Sequence, residues 1–214
     1  MVMILPYMEQ DNLYRQWDLT LKYYNQPTFD VTAQVPLYLC PSRRRAPQIG
    51  QLDEDVTTGK KGTLGDYAAA SSDNTGDPVT AYDQTGATGS IITGVRSGTQ
   101  WTSVTNFASV TDGLSNTLFI GEKHIQLGKI AQVKGDRTIW NGDSIDVFAR
   151  VAGPGKGIVA DLTTATNQRF GSYHPGLCQF LLGDGSVRGL KVSTPESVLS
   201  LLVQRADGQV ASVD

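Results

Sequence analysis

Phe170-Gly-Ser-Tyr-His-Pro-Gly-Leu-Cys-Gln-Phe-Leu-Leu-Gly-Asp-Gly-Ser-Val-Arg-Gly-Leu190 is the stretch on which the fold turns. His174-Pro175-Gly176 makes a turn, and the apolar run Leu177 to Leu182 follows it as a buried strand. Gly183-Asp184-Gly185 then reverses the chain, because an Asp-Gly pair supplies the positive φ that a tight hairpin needs. Ser186 to Leu190 starts the return strand. The spacing therefore predicts an antiparallel hairpin at the centre of an α+β domain.

Outward from the hairpin, the C-terminal side predicts a helix. Thr194 is placed as N-cap, Pro195 as the first helical residue, Ser197 to Val203 carry the apolar stripe, and Gly208 is the stop. On the N-terminal side, Thr111-Asp112-Gly113-Leu114-Ser115-Asn116-Thr117 is a turn whose polar side chains satisfy local backbone groups, leading into a buried strand from Thr117 to Ile120. Tyr67 to Ala70, Ser90 to Val95, Thr102 to Val110 and the alternating Ile145 to Phe148 are further strand candidates, and Asn141-Gly142 suggests another hairpin. Near the start, Pro6 suits a first helical turn, Leu13 and Trp17 share a helix face, and Val35 to Leu39 resembles a strand stopped by Pro41. The expected layout is one domain over 1–214: an N-terminal helix and first strand in 1–40, a loop-rich β region in 41–169, and the hairpin with its helix in 170–214.

The chain carries a net charge of −3 and only 18% charged residues, which with 23 glycines suits a loop-rich protein of uncharged polar surface. Arg43-Arg44-Arg45, the one basic cluster, is expected to be a solvated loop. It does not supply the basic face that nucleic-acid binding requires. No apolar run reaches the ~20 residues that span a bilayer.

The segment from His174 through nine intervening residues to Asp184-Gly185 resembles the signature of the prepilin-type, processing-associated bacterial family DUF1559. Ile4-Leu-Pro-Tyr-Met-Glu-Gln10, Leu39-Cys-Pro-Ser42, Gly65-Asp-Tyr67 and Thr111 to Lys123 resemble further pieces of that family, in the same order. The resemblance implies a pilin-like antiparallel sheet packed on helices, with long insertions. It also implies a non-enzymatic protein of the cell envelope, periplasmic or extracellular, which is a pseudopilin-like or surface-display subunit of a type IV pilus or type II secretion-like system. Its partners would be other envelope or pilin-like subunits. Family members begin with a leader and a long apolar helix. The 214 residues here read as an excised soluble part or as a variant without that anchor.

Candidate site residues follow from both readings. His174, Asp184, Gly185, Asp112, Gly113, Ser115 and Asn116 are expected to be structural, with His174 hydrogen-bonded to backbone or a carboxylate and Asp184 folded onto its own turn. An Asp, a Ser and a His invite a hydrolase reading, but no Gly-x-Ser-x-Gly elbow is present and none is adopted. His174 and Cys178 lack zinc-finger or His-Glu-x-x-His spacing. Cys40 and Cys178 are the only cysteines, and an exported protein permits a disulfide between them, with two buried free thiols as the alternative. Asp53-Glu54-Asp55 is the densest carboxylate cluster and a weak candidate for Ca²⁺; no cofactor is otherwise expected. Asp136, Asp143 and Asp146 are a secondary guess for a cation. The alternative function is a soluble extracellular binding module that stacks carbohydrate or another small ligand on Trp101 and Trp140.

Overall fold

A computed structural model describes residues 1–50, 60–73, 86–97, 100–142 and 144–211. Its strands are β1 (Tyr67–Ser72), β2 (Val95–Ser97), β3 (Gln100–Thr102), β4 (Leu118–Glu122), β5 (Ala149–Val151), β6 (Leu177–Leu182) and β7 (Val187–Lys191). Its α-helices are α1 (Asp11–Tyr14), α2 (Thr28–Thr32), α3 (Ile145–Phe148) and α4 (Glu196–Val203). The main sheet has the order β5-β1-β4-β6-β7, and β2 and β3 pair separately.

The central hairpin forms as the sequence predicts. β6 and β7 pair in register from Leu177↔Lys191 to Leu181↔Val187, and Gly185 takes φ +87° in the turn. Asp184 Oδ1 accepts from Ser186 N at 2.9 Å and from Ser186 Oγ at 2.7 Å, so the acid fastens its own reversal. β6 is buried on one face only, through Cys178, Phe180 and Leu182. The sheet is also mixed. β1 pairs antiparallel with β4 but parallel with β5, which corrects the all-antiparallel expectation. The connection from β1 to β5 passes through β4 and is long enough for the return that a parallel pair requires.

One face of the sheet packs beneath α4. Leu118, Phe180, Leu182 and Leu190 meet Leu199, Leu202 and Val203 there, with Phe170 edge-on to Phe180 at 5.0 Å. Gly121 lies under both rings: a Cβ at this position would stand 2.5 Å from Phe180 Cε1 and 2.8 Å from Phe170 Cδ1. Both phenylalanines are fully enclosed and have nowhere to retreat. Gly121→Ala is expected to destabilise the protein by about 1–3 kcal/mol through overpacking, read as a lower urea midpoint at unchanged m-value.

α4 is shorter than its caps suggested. Pro195 is the N-cap itself, Thr194 donates its hydroxyl to Lys191 O at 2.7 Å, and the helix ends where Gln204 becomes extended. Gly208 turns (φ +76°) beyond that end, because Asp112 accepts from Asp207 N at 2.7 Å and Gly208 N at 3.0 Å and draws the chain away.

The N-terminal region builds a second core. Leu13 and Trp17 share a core with Leu5, Val31, Tyr38 and Trp140, but Trp17 lies beyond the end of α1 and not on a common helix face. Pro6 sits inside a 3₁₀ helix over Val2–Met8 rather than at its first turn, and Pro36 opens another over Pro36–Tyr38 where a strand was expected. Three more expectations fail. Thr102 to Val110 is strand only at its first residue and then a 3₁₀ turn at Phe107–Ser109, capped reciprocally by Asn106 and Ser109. Ser90 to Val95 joins a strand only at Val95. Ile145 to Phe148 is one helical turn, with β5 following directly, and Asn141-Gly142 leads into that turn instead of a hairpin. Among the described residues, no helix is long and apolar enough to cross a membrane.

Candidate functional site

Cys40-Pro41-Ser42 turns the chain so that Arg43 N and Arg44 N both donate to Cys40 O at 3.0 Å, and the two side chains point inward. Their side chains are 0% and 2% exposed, which overturns the solvated-loop expectation. Only Arg45 is exposed. Arg44 holds Asp136 with two bonds, at 2.7 and 2.6 Å, and reaches Asp66 at 2.6 Å. Arg43 donates to Asp66 Oδ1 at 2.8 Å and to the carbonyls of Lys123 and Gly171 at 2.6 and 3.1 Å. Asp66 also accepts from Cys40 N at 2.8 Å. Burial works to raise the Asp66 carboxyl, but Arg44 and Arg43 outweigh it and hold it below the usual carboxylate range.

Lys123, one residue past β4, is fully enclosed and donates Nζ to Gly135 O at 3.2 Å and Val147 O at 3.3 Å. Burial brings its ammonium down to about 7, the attraction of Asp136 being too weak to offset it. Asp136 is therefore a guanidinium partner, further filled by Ala131 N at 2.7 Å. It is not part of a cation site with Asp146, and Asp143 lies outside the described residues.

Beside this network stands His174. Its backbone N donates to Ser172 Oγ at 2.9 Å, and its Nε2 lies 3.4 Å from Glu122 Oε1 and 3.5 Å from Cys40 Sγ. A carboxylate stands near the imidazole but is not hydrogen-bonded to it, and the thiol does not appear in the expectation. Glu122, at the end of β4, accepts from Gln179 N through Oε2 at 2.9 Å, while its buried Oε1 has no hydrogen-bond partner. The 3.4 Å approach to His174 is thus a close contact and not a formed hydrogen bond. Both cysteines are buried free thiols: Cys40 meets the Glu122 carboxylate, and Cys178 Sγ lies 3.7 Å from the Glu122 carbonyl. Burial, then the Glu122 contact, pushes the Cys40 thiol up; burial pushes Cys178 up further.

The remaining predicted residues lie elsewhere. Asp184 sits at the far end of β6 from His174, about 20 Å away by strand length. Asp112 clamps the C-terminal segment, Gly113 takes φ +98°, Asn116 Nδ2 donates to Asp112 O at 3.2 Å, and Ser115 is exposed. No Ser-His-Asp relay is assembled from these groups. Trp140 is largely buried against Trp17 and Tyr38, at ring distances of 5.4 and 5.7 Å, and its remaining exposed edge borders a groove on the sheet. The Trp101 side chain and Asp53, Glu54 and Asp55 lie outside the described residues. Sequence reasoning gave no role to Glu122, Lys123 and Asp66, although all three fall in stretches that carry the family resemblance and beside a glycine near a strand end (Gly65-Asp66, Gly121-Glu122-Lys123).

A family model described as "Protein of unknown function (DUF1559)" matches residues 1–197. The chain belongs to the DUF1559 family. No curated protein and no solved structure matches it. In this DUF1559 chain the matched range contains Cys40, Asp66, Glu122, His174 and the whole central hairpin, and it stops just inside α4.

Proposed function

We propose that this DUF1559 chain is a non-enzymatic, exported cell-envelope domain, a pseudopilin-like structural or display subunit of a type IV pilus or type II secretion-like system. The observation that supports it is the sheet's second face. Ala69 and Ile120 are register partners whose side chains point away from α4, and they remain half-exposed. They line a groove of about 590 Å³ together with Met3, Ile4, Ile139 and Phe148. Such a surface is suited to an apolar helix from a partner envelope subunit, the packing that a pilin-like architecture uses. Asn141 and the Trp140 indole N–H are the side-chain polar groups among the groove's described residues, a sparse set for a carbohydrate.

A photo-crosslinking residue in place of Ile4, introduced in cells that carry the native locus, tests this. The expected result is a crosslink to an envelope subunit bearing an apolar helix, with the protein recovered from the envelope or medium. Cytoplasmic recovery with no such crosslink overturns it.

A further inference from the structure

Three ligand atoms from distant parts of the chain converge next to His174. Cys40 Sγ and Glu122 Oε1 stand 3.5 and 3.4 Å from His174 Nε2, and all three lie within 4.8 Å of one another. Both contacts fall on the same ring nitrogen. A nucleophile, base and orienting acid would engage the two nitrogens of an imidazole separately. A shared nitrogen is not that relay; it is the pattern of atoms gathered around a common point.

The distances suit such a point. Around a tetrahedral zinc ion with ordinary bond lengths, sulfur and nitrogen ligands stand about 3.6 Å apart, and nitrogen and oxygen ligands about 3.3 Å apart. Glu122 Oε1 supplies an independent indication. The residue is 1% exposed, and this oxygen accepts no well-formed hydrogen bond, although the Cys40 thiol lies beside it and its twin is bonded to Gln179 N. A buried carboxylate oxygen left unpaired costs stability, so something is expected to meet it.

We propose that Cys40, Glu122 and His174 bind a borderline divalent transition-metal cation of the zinc class, with solvent in the fourth position. The imidazole side chain is 31% exposed, which leaves one side of the cluster open to water. A thiolate and a carboxylate together balance the charge of a divalent ion, so the centre is neutral beside Arg43, itself matched by Asp66. On binding, the Cys40 S–H bond breaks, its proton passes to solvent, and the sulfur lone pair forms the metal bond; no electron is transferred. The thiolate selects zinc or cobalt over calcium and magnesium. The ion would tie together the N-terminal region, the end of β4 and the segment before the hairpin, joining residues 134 apart.

Titration of the reduced 214-residue chain with ZnCl₂ tests this. One Zn²⁺ is expected per chain, with a melting temperature raised by about 5–10 °C at a hundredfold excess over Kd. Co²⁺ is expected to give a thiolate-to-cobalt charge-transfer band, abolished in Cys40→Ser and kept in Cys178→Ala. His174→Ala changes the least buried ligand and is the variant best able to keep its fold; it is expected to weaken Zn²⁺ binding at least about a hundredfold. Absence of stoichiometric uptake, a cobalt spectrum without the thiolate band, undiminished binding in His174→Ala, or an equal shift with Ca²⁺ or Mg²⁺ would each overturn the assignment.

Discussion

Asp66→Asn is expected to destabilise the protein by about 3–5 kcal/mol, a large share of the roughly 5–15 kcal/mol that holds a domain together. The carboxylate is completely enclosed and is the point at which Arg43, Arg44 and Cys40 N meet. Asparagine keeps the shape but removes the charge, leaving Arg43 without a carboxylate partner and Arg44 with Asp136 alone. Urea denaturation measures the loss; a change below about 1 kcal/mol would show that water reaches these guanidiniums in solution. The same pair predicts a pH response. Because the folded carboxyl lies below its unfolded value of 3.8, its contribution is complete above that pH and is lost as the pH falls through the folded pKa. The wild type is therefore expected to lose stability on acidification below about pH 4 more steeply than the Asn variant.

Lys123 predicts the opposite limb. Its folded pKa of about 7 lies below the unfolded 10.5, so between those values the unfolded chain binds the extra proton and stability rises with pH. Between pH 7 and 8.5 the gain is about 2 kcal/mol. Below about pH 6 both states are protonated and the penalty is constant at its largest. The buried Cys40 and Cys178 thiols, pushed above their ordinary value of 9, act in the reverse direction as pH rises further, so the window below 8.5 is the informative one. Lys123→Met is expected to remove this slope while keeping the volume filled. Stability curves for the two proteins that run parallel from pH 7 to 8.5 would contradict the buried-amine account.

The hairpin at Asp184-Gly185, the strand after Thr117 and the strand from Tyr67 were legible because their determinants are local: turn chemistry and an apolar run. The Arg43-Arg44 pair was not. A run of charge looks solvated until its partners are known, and these lie 22 and 92 residues further on at Asp66 and Asp136. Ile145 to Phe148 has the alternation of a strand, yet it makes a helical turn whose carbonyls are captured from outside, that of Asp146 by Arg150 and that of Val147 by Lys123. For His174, the thiol nearest in sequence is Cys178, four residues away. The thiol that actually faces it is Cys40, and the acid beside both is Glu122; nothing within a short window of sequence announces either contact.

The order of strands in the main sheet bears on how the polypeptide is made. β4 has its neighbour β1 early, but its other neighbour, β6, belongs to the last fifth of the chain. Translation at about 5–20 residues per second leaves roughly 3–12 s between the emergence of the end of β4 and that of the end of β6. Throughout that interval β4 has a bare edge, Phe170 has no Phe180 to pack on, and Glu122 has no Gln179 amide. The main sheet therefore closes around β4 only after β6 and β7 have been made.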